Sequence, residues 1–340
     1  MSSFHVPRDY NAAHDLIEGN LLAGRAGKVA FIDDAGQCTF GELAERASRF
    51  GSGLQAMGLG MEDRVLLALT DSIDFPTAFL GAIKAGIIPV VVNALLTPRD
   101  YEHMLADSRA RALIVSEQLV PQFGTFVGRL PFLRHVIVSG RRAQGRTTLD
   151  EVMAAGSPAL DTAPTTSDDA CCWFYSSGST GAPKAVVHVH SSMAFAAELY
   201  GKAVLGVTDQ DVLFSSAKLS FVYGLGNALT FTLGRRGDRH IDGRAPDADI
   251  GIQATGREEA DHLLRRADAI RFDARQPRAA EQERSRLACV RVRRGGAAGG
   301  TRQALERKNG CRHPGRNRVD RDDAHVHQRA ARRSALWGDG

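Results

Sequence analysis

The chain changes character close to Gly234, and no one fold can run through both sides of that break. Residues 1–234 carry 18 Lys and Arg against 23 Asp and Glu, whereas residues 235–340 carry 25 against 16. Of the later cations, 24 are Arg and one, Lys308, is Lys. Twenty of the 22 aromatic residues precede the break, and only Phe272 and Trp337 follow it. Ile, Leu, Val and Phe supply 14 of the last 106 residues. That is below the roughly one fifth at which a charged chain still builds a core. The organised fold is therefore expected in 1–234, with 235–340 an Arg-rich, disordered tail.

Several classes fall away at once. The longest uncharged run, Leu219 to Gly234, has 16 residues with Asn227 and three glycines inside it. A membrane span needs about 20 apolar residues, so no membrane association is expected. The first ten residues lack the charged-then-apolar pattern of a secretion signal. Five cysteines, two of them adjacent (Cys171 and Cys172), make a poor disulfide framework. A reducing cytoplasm is the expected setting.

Between residues 29 and 140 helix-period and strand-period runs alternate. Thr39 and Glu42 have capping-box spacing. Leu43, Ala47, Phe50, Leu54 and Met57 then recur at helical intervals, and Gly58 stands where a helix-ending glycine belongs. The spacing predicts strands at Val65–Leu69, Ile87–Val92, Ala112–Ser116 and His135–Val138, and helices from Ile73 to Ala85 and from Thr97-Pro98 onward. Strands that are apolar throughout, rather than alternating, imply an α/β fold with a parallel sheet covered on both faces. Residues 156–170 read as a surface connection. A strand over Cys171–Tyr175, a return strand over Lys184–His190, a helix from Ser191 to about Leu205 and a strand over Val212–Ser215 follow.

The segment Tyr175-Ser-Ser-Gly-Ser-Thr-Gly-Ala-Pro-Lys184 joins those two strands. Glycines at 178 and 181 let the backbone turn with positive φ, so that successive N–H groups converge on an anion. Ser177, Ser179 and Thr180 add rotatable donors, and Lys184 adds a charge suited to phosphate. The loop is not a Walker A motif, because Pro183 stands where the second Gly belongs and Ala185 follows the Lys. It is not a dinucleotide fingerprint either, since its glycines lie three apart with no helical run after them. The alternative is a solvated Ser/Gly turn, against which stand the ordered strand before it and the β-branched strand after it.

The segment YSSGSTGAPKAVVH resembles the signature loop of the adenylate-forming acyl-CoA synthetases. The stretches FHVPRDYNAAHDLI, FLGAIKAGIIPVVVNALLTPRDYEHML and AKLSFVYGLGNALTF resemble, within that family, the benzoate and 4-hydroxybenzoate CoA ligases. The resemblance covers about residues 1–234 and implies part of the large N-terminal domain of such a ligase. It implies a two-step reaction in aromatic degradation: an aromatic carboxylate attacks ATP with Mg2+ to give an acyl-adenylate, and CoA then displaces AMP. By that likeness Ser176, Ser177, Gly178, Ser179, Thr180, Gly181 and Lys184 hold the β- and γ-phosphates. Phe221 and Tyr223 would wall an aromatic acyl pocket on a strand, and Gly224 would leave room for the ring. The alternative is that the two aromatics are core residues of a buried strand. A second copy of the chain is a candidate partner.

His188 and His190 alternate on one strand face, but no third metal ligand lies nearby. The family's second Gly-rich segment with its Thr-Glu pair, its ribose-binding Asp and its lysine-bearing C-terminal domain are not recognisable after Gly234, so no catalytic role falls on Lys308. Translation out of frame from about residues 233–236 of a GC-rich gene accounts for the tail's composition. On this reading the chain is a truncated ligase of little turnover. The alternatives are a non-catalytic nucleotide-binding remnant and an Arg-rich nucleic-acid arm. Acidic residues are mixed through the tail without aromatic platforms, which speaks against the arm.

Overall fold

The computed structural model of the chain describes residues 4–141, 145–176, 182–209, 211–215 and 217–234, and the strands Ile252–Gln253 and Cys289–Arg293. Helix α1 (Ala12–Leu22) precedes a hairpin of β1 (Val29–Asp33) and β2 (Gly36–Thr39). Helix and strand then alternate: α2 (Phe40–Ala56), β3 (Arg64–Ala68), α3 (Asp74–Lys84), β4 (Ile88–Val91), α4 (Pro98–Ser108) and β5 (Ala112–Ser116). After β6 (His135–Ser139) come the short β7 (Thr147–Thr148) and α5 (Leu149–Ala155). The strands β8 (Ala170–Ser176) and β9 (Lys184–Val189) form a hairpin. Helix α6 (His190–Ala196) continues as a π-helix over Ala197–Lys202. Strand β10 (Asp211–Ser215), short helices α7 (Val222–Leu225) and α8 (Phe231–Leu233), and strands β11 (Ile252–Gln253) and β12 (Cys289–Arg293) follow.

Among the described residues the central sheet runs β7-β6-β5-β3-β4-β8-β9. Every neighbouring pair is parallel except the closing hairpin β8–β9. Successive residues of β3 enter different cores. Val65 and Leu67 join Ile114 and Ile137 beneath the helices α1, α2, α3 and α5, while Leu66 and Ala68 join Leu113 and Val138 beneath Tyr101 and Met104 of α4. Both faces are covered, which is why the strands read as unbroken apolar runs. A second sheet runs β12-β10-β11-β1-β2.

Local chemistry sets the helix ends. The Thr39 hydroxyl accepts from the Glu42 amide while the Glu42 carboxylate accepts from the Thr39 amide, and Thr97 with Asp100 and Thr148 with Glu151 repeat the arrangement. At the other end of α2, Gly58 takes φ +84°, its amide donating to the Gln55 carbonyl and that of Leu59 to the Leu54 carbonyl. This is the paired carbonyl closure that a left-handed residue permits. Helices α2 and α3 cross almost backbone to backbone. A Cβ on Gly81 would lie 2.6 Å from the Ala47 carbonyl oxygen, and one on Gly51 would lie 2.4 Å from that of Gly81.

The structure departs from the sequence reading in four places. Residues 156–170 are not merely a surface connection: Ala163, Thr165 and Ser167 are buried. Thr165 accepts from the Tyr10 amide through its carbonyl and donates its hydroxyl proton to the Tyr10 carbonyl. The helix expected from Ser191 to Leu205 widens to a π-helix after Ala196, and His190 begins that helix rather than ending the strand. The segment expected as an acyl-pocket strand, Ser220–Gly226, is helical from Val222. Its glycines and aromatics mimic strand spacing, whereas the close seat of Gly224 on the backbone at Ala217–Lys218 holds a helical turn. The tail 235–340, expected to be disordered, contributes β11 and β12 to the second sheet and otherwise lies outside the described residues.

Candidate functional site

The carboxyl ends of parallel strands are where α/β sheets gather ligands, and β8 ends there in Ser176. Its antiparallel partner is Lys184, which opens β9, so the two ends of the glycine-rich segment face each other in register. Both side chains are exposed, and the Ser176 hydroxyl donates to the Lys184 carbonyl at 3.5 Å. Ser177, Gly178, Ser179, Thr180 and Gly181 lie outside the described residues. A hydroxyl and an ammonium at the open end of a hairpin are donors that fit a phosphate group.

Helix α4 touches both shoulders of this hairpin. The Tyr175 hydroxyl donates to the Asp107 carboxylate at 2.7 Å and approaches the Met104 carbonyl at 3.3 Å. Burial, and then the Asp107 carboxylate, push the Tyr175 phenol well above its ordinary range. On the other shoulder His103 Nε2 lies 3.3 Å from the Pro183 carbonyl, which can only accept. Tyr175 and Trp173 pack on the α4 side of the sheet, while Phe174 faces the other core.

The expected acyl-pocket residues are not brought together as a walled strand. Phe221 and Tyr223 are each a little under half exposed, with Val222 similar. Gly224 is buried, but a Cβ there would meet the Lys218 carbonyl oxygen at 2.0 Å and that of Ala217 at 2.6 Å. The glycine thus lets the helical turn seat closely on that backbone. Asp71, just past β3, fixes the same segment: its carboxylate accepts from the Leu219 amide at 3.0 Å and pairs with Lys218 at 3.6 Å. Burial raises the Asp71 carboxyl, with Lys218 and the Leu219 amide acting in the opposite sense. Sequence reasoning did not single out His103, Asp107 or Asp71. The i,i+4 spacing of His103 and Asp107 is visible in the sequence, but their partners lie about 70 to 80 residues away.

His188 packs edge-on against the Phe174 ring, and burial lowers its basicity. His190 is buried, and its Nδ1 accepts from the Ala12 amide at 3.0 Å. Burial brings its pKa to about 4, with the Asp169 carboxylate opposing that shift. Cys171 and Cys172 are buried strand residues, as expected. No group of His, Cys, Asp and Glu suited to a metal ion occurs among the described residues, so no side chain is assigned to Mg2+. One cavity of about 420 Å3 is lined among others by Arg46 and Arg49 of α2 and Met153 of α5, and another of about 660 Å3 by Glu18 of α1, Ser48 of α2 and Lys84 of α3. Neither includes a residue of the hairpin or of the segment around Gly224.

Comparison with known proteins places this geometry. The profile of the AMP-binding enzymes matches residues 21–263. The chain belongs to that family. It is 53% identical over 229 residues to a benzoate–CoA ligase of Thauera aromatica, covering 67% of this chain and 43% of that protein. A 4-hydroxybenzoate–CoA/benzoate–CoA ligase of Rhodopseudomonas palustris is 43% identical over 227 residues, covering 67% and 42%. The solved benzoate CoA ligase from Burkholderia xenovorans LB400 superposes with a TM-score of 0.64 at 42% identity, over 76% of this chain and 48% of that one. An anthranilate CoA ligase in complex with anthranoyl-AMP gives 0.67 at 32% identity over the same shares. The chain thus spans less than half the length of these relatives. The α/β architecture with its parallel sheet is that of the N-terminal domain of adenylate-forming ligases. No helix among the described residues is long and apolar enough to cross a membrane.

Proposed function

We propose that this chain carries the phosphate-holding half of an AMP-forming aryl-CoA ligase, which activates benzoate or a hydroxybenzoate through an acyl-adenylate to its CoA thioester. The observation that carries the reading is the hairpin with Ser176 opposite Lys184 at the carboxyl edge of a parallel sheet, in a chain 53% identical to a benzoate–CoA ligase. Ser176 and Lys184, with the intervening 177–181, hold the β- and γ-phosphates of ATP. The Lys184 ammonium stabilises the charge that gathers on departing pyrophosphate, and prepositioned donors do this without reorganisation. Phe221 and Tyr223 offer apolar faces to the aromatic acid, and CoA takes the acyl group in the second step. ATP with Mg2+ supplies the phosphoanhydride that makes the carboxyl reactive. The setting is cytoplasmic.

Residues 1–234 form the working domain on this reading, and 235–340 adds to it the strands β11 and β12 of the second sheet. Since the adenine, ribose and lysine-bearing motifs are not recognisable after Gly234, the chain binds MgATP but turns over little. Titration calorimetry on the full chain tests this. Saturable MgATP binding is expected, weakened about tenfold or more by Lys184→Met, as removal of one charge-assisted contact implies. Benzoate, MgATP and CoA are expected to release only traces of pyrophosphate. MgATP affinity indifferent to Lys184→Met overturns the phosphate assignment, and rapid pyrophosphate release overturns the inactivity.

A further inference from the structure

The two shoulders of the glycine-rich segment are not held by the sheet alone. Ser176 and Lys184 form the last register pair of β8–β9, and β9 has no further neighbour in the sheet order among the described residues. A hairpin at a sheet edge can splay, which would move its donors by more than a phosphate contact tolerates. Helix α4 opposes that motion at two points. Its His103 and Asp107 are separated by one turn and so share a face. One reaches the Pro183 carbonyl just before β9, and the other reaches the Tyr175 hydroxyl at the end of β8. The helix itself is rigidly based. Its start is capped by Thr97 and Asp100, and Tyr101 and Met104 are buried in the core that also receives Tyr175.

We propose that His103 and Asp107 form a two-point clamp that sets the spacing of Tyr175 and Pro183, and are thereby positioning residues for the nucleotide. The nucleotide half of this inference rests on the phosphate reading above, whereas the clamp does not. For His103 the contact requires the Nε2–H tautomer, since a carbonyl can only accept. For Asp107 it requires an acceptor and not a charge, so Asp107→Asn preserves it and Asp107→Ala does not. His103→Gln likewise keeps a donor that His103→Ala removes. Both residues are exposed, so loss of the contact leaves no buried orphan and the fold survives.

The test uses the full chain with two readouts. Amide hydrogen exchange is followed in peptides covering Ala170–Ser176 and Lys184–Val189, and MgATP affinity is measured by calorimetry. His103→Ala and Asp107→Ala are expected to speed exchange at both strand ends and to weaken MgATP about three- to tenfold, the range of one hydrogen bond. The urea midpoint should stay at the parental value, and His103→Gln and Asp107→Asn should restore both readouts. A double-variant cycle of Asp107→Ala with Tyr175→Phe should be non-additive, because the two changes remove one contact. Unchanged exchange in both alanine variants overturns the clamp, as do conservative variants that behave like alanine. Faster exchange with parental MgATP affinity overturns the positioning role. If the parent itself fails to bind MgATP, the phosphate reading and the positioning role both fall, and the clamp is decided by exchange.

Discussion

Acidification should undo a specific joint of this protein, at His190. The buried ring is used as an acceptor. Its Nδ1 takes the Ala12 amide, the first N–H of α1, while the Asn11 side chain takes those of Ala13 and His14. A proton on Nδ1 would leave the Ala12 N–H unsatisfied and place a cation in an apolar setting. Burial accordingly brings the pKa to about 4, although Asp169 favours the charged ring. The unfolded chain protonates this ring near 6.5. Above about pH 6.5 the ring is neutral in both states and the joint's stability is fully present. As pH falls from there towards 4 the unfolded state binds the proton first, and stability is lost. The depression of about 2.5 units corresponds to about 3 kcal/mol in full and to about 2 kcal/mol by pH 5. Urea unfolding at pH 7.5 and pH 5.0, for the parent and for His190→Gln, measures it. The parent should lose about 2 kcal/mol more than the variant over this interval, because glutamine accepts from Ala12 without titrating. Parallel losses, or an NMR titration of the His190 ring near 6.5, would refute the reasoning.

Three further outcomes follow from the packing. Gly19→Ala, on the open face of α1, should raise stability by about 0.5–1 kcal/mol, whereas Gly81→Ala should lower it by about 1–3 kcal/mol because the new methyl meets the Ala47 carbonyl. Opposite signs in urea midpoints are the expected result, and a gain at both positions would refute the close helix crossing. Gly224→Ala should lower the thermal midpoint by several degrees by displacing the carbonyls at 217 and 218; an unchanged midpoint in scanning calorimetry would count against that contact. Thr39→Ala should cost about 1 kcal/mol in the same denaturation assay, and Thr39→Ser should recover most of it.

The parallel sheet was legible because burial on both faces leaves an unmistakable trace: Ala112–Ser116 is apolar nearly throughout, and the structure has the strand at those residues. The start and end of α2 were legible too, since Thr39, Glu42 and Gly58 act on neighbours within five residues. Contacts over long sequence separations were not. Thr165 looks like loop chemistry, yet it pairs with Tyr10 and Asn11 some 155 residues earlier. Phe221 and Tyr223 sit two apart, as on a strand, and the helical turn there is imposed by packing of Gly224 on backbone that no local pattern encodes. Of the candidate phosphate donors, Ser176 and Lys184 stand in register, since β8 runs one residue beyond the expected strand end at Tyr175. The helix that braces their strands, α4, was expected as a helix and not as a brace.

The joint between α1 and α6 also constrains the order in which the molecule is made. Asn11 donates to the Ile83 carbonyl and to Thr165, and the neighbouring Ala12 amide needs the ring of His190. On a ribosome the chain emerges from its amino end, so α1 is made well before α6, and the Ala12–His190 contact waits for a residue 178 positions later. Until then the apolar side of α1, Leu16 and Ile17, has only the earlier part of the core, from α2 and α3, to rest on. A contact at the start of α1 is thus completed only after the sheet's closing hairpin has been made.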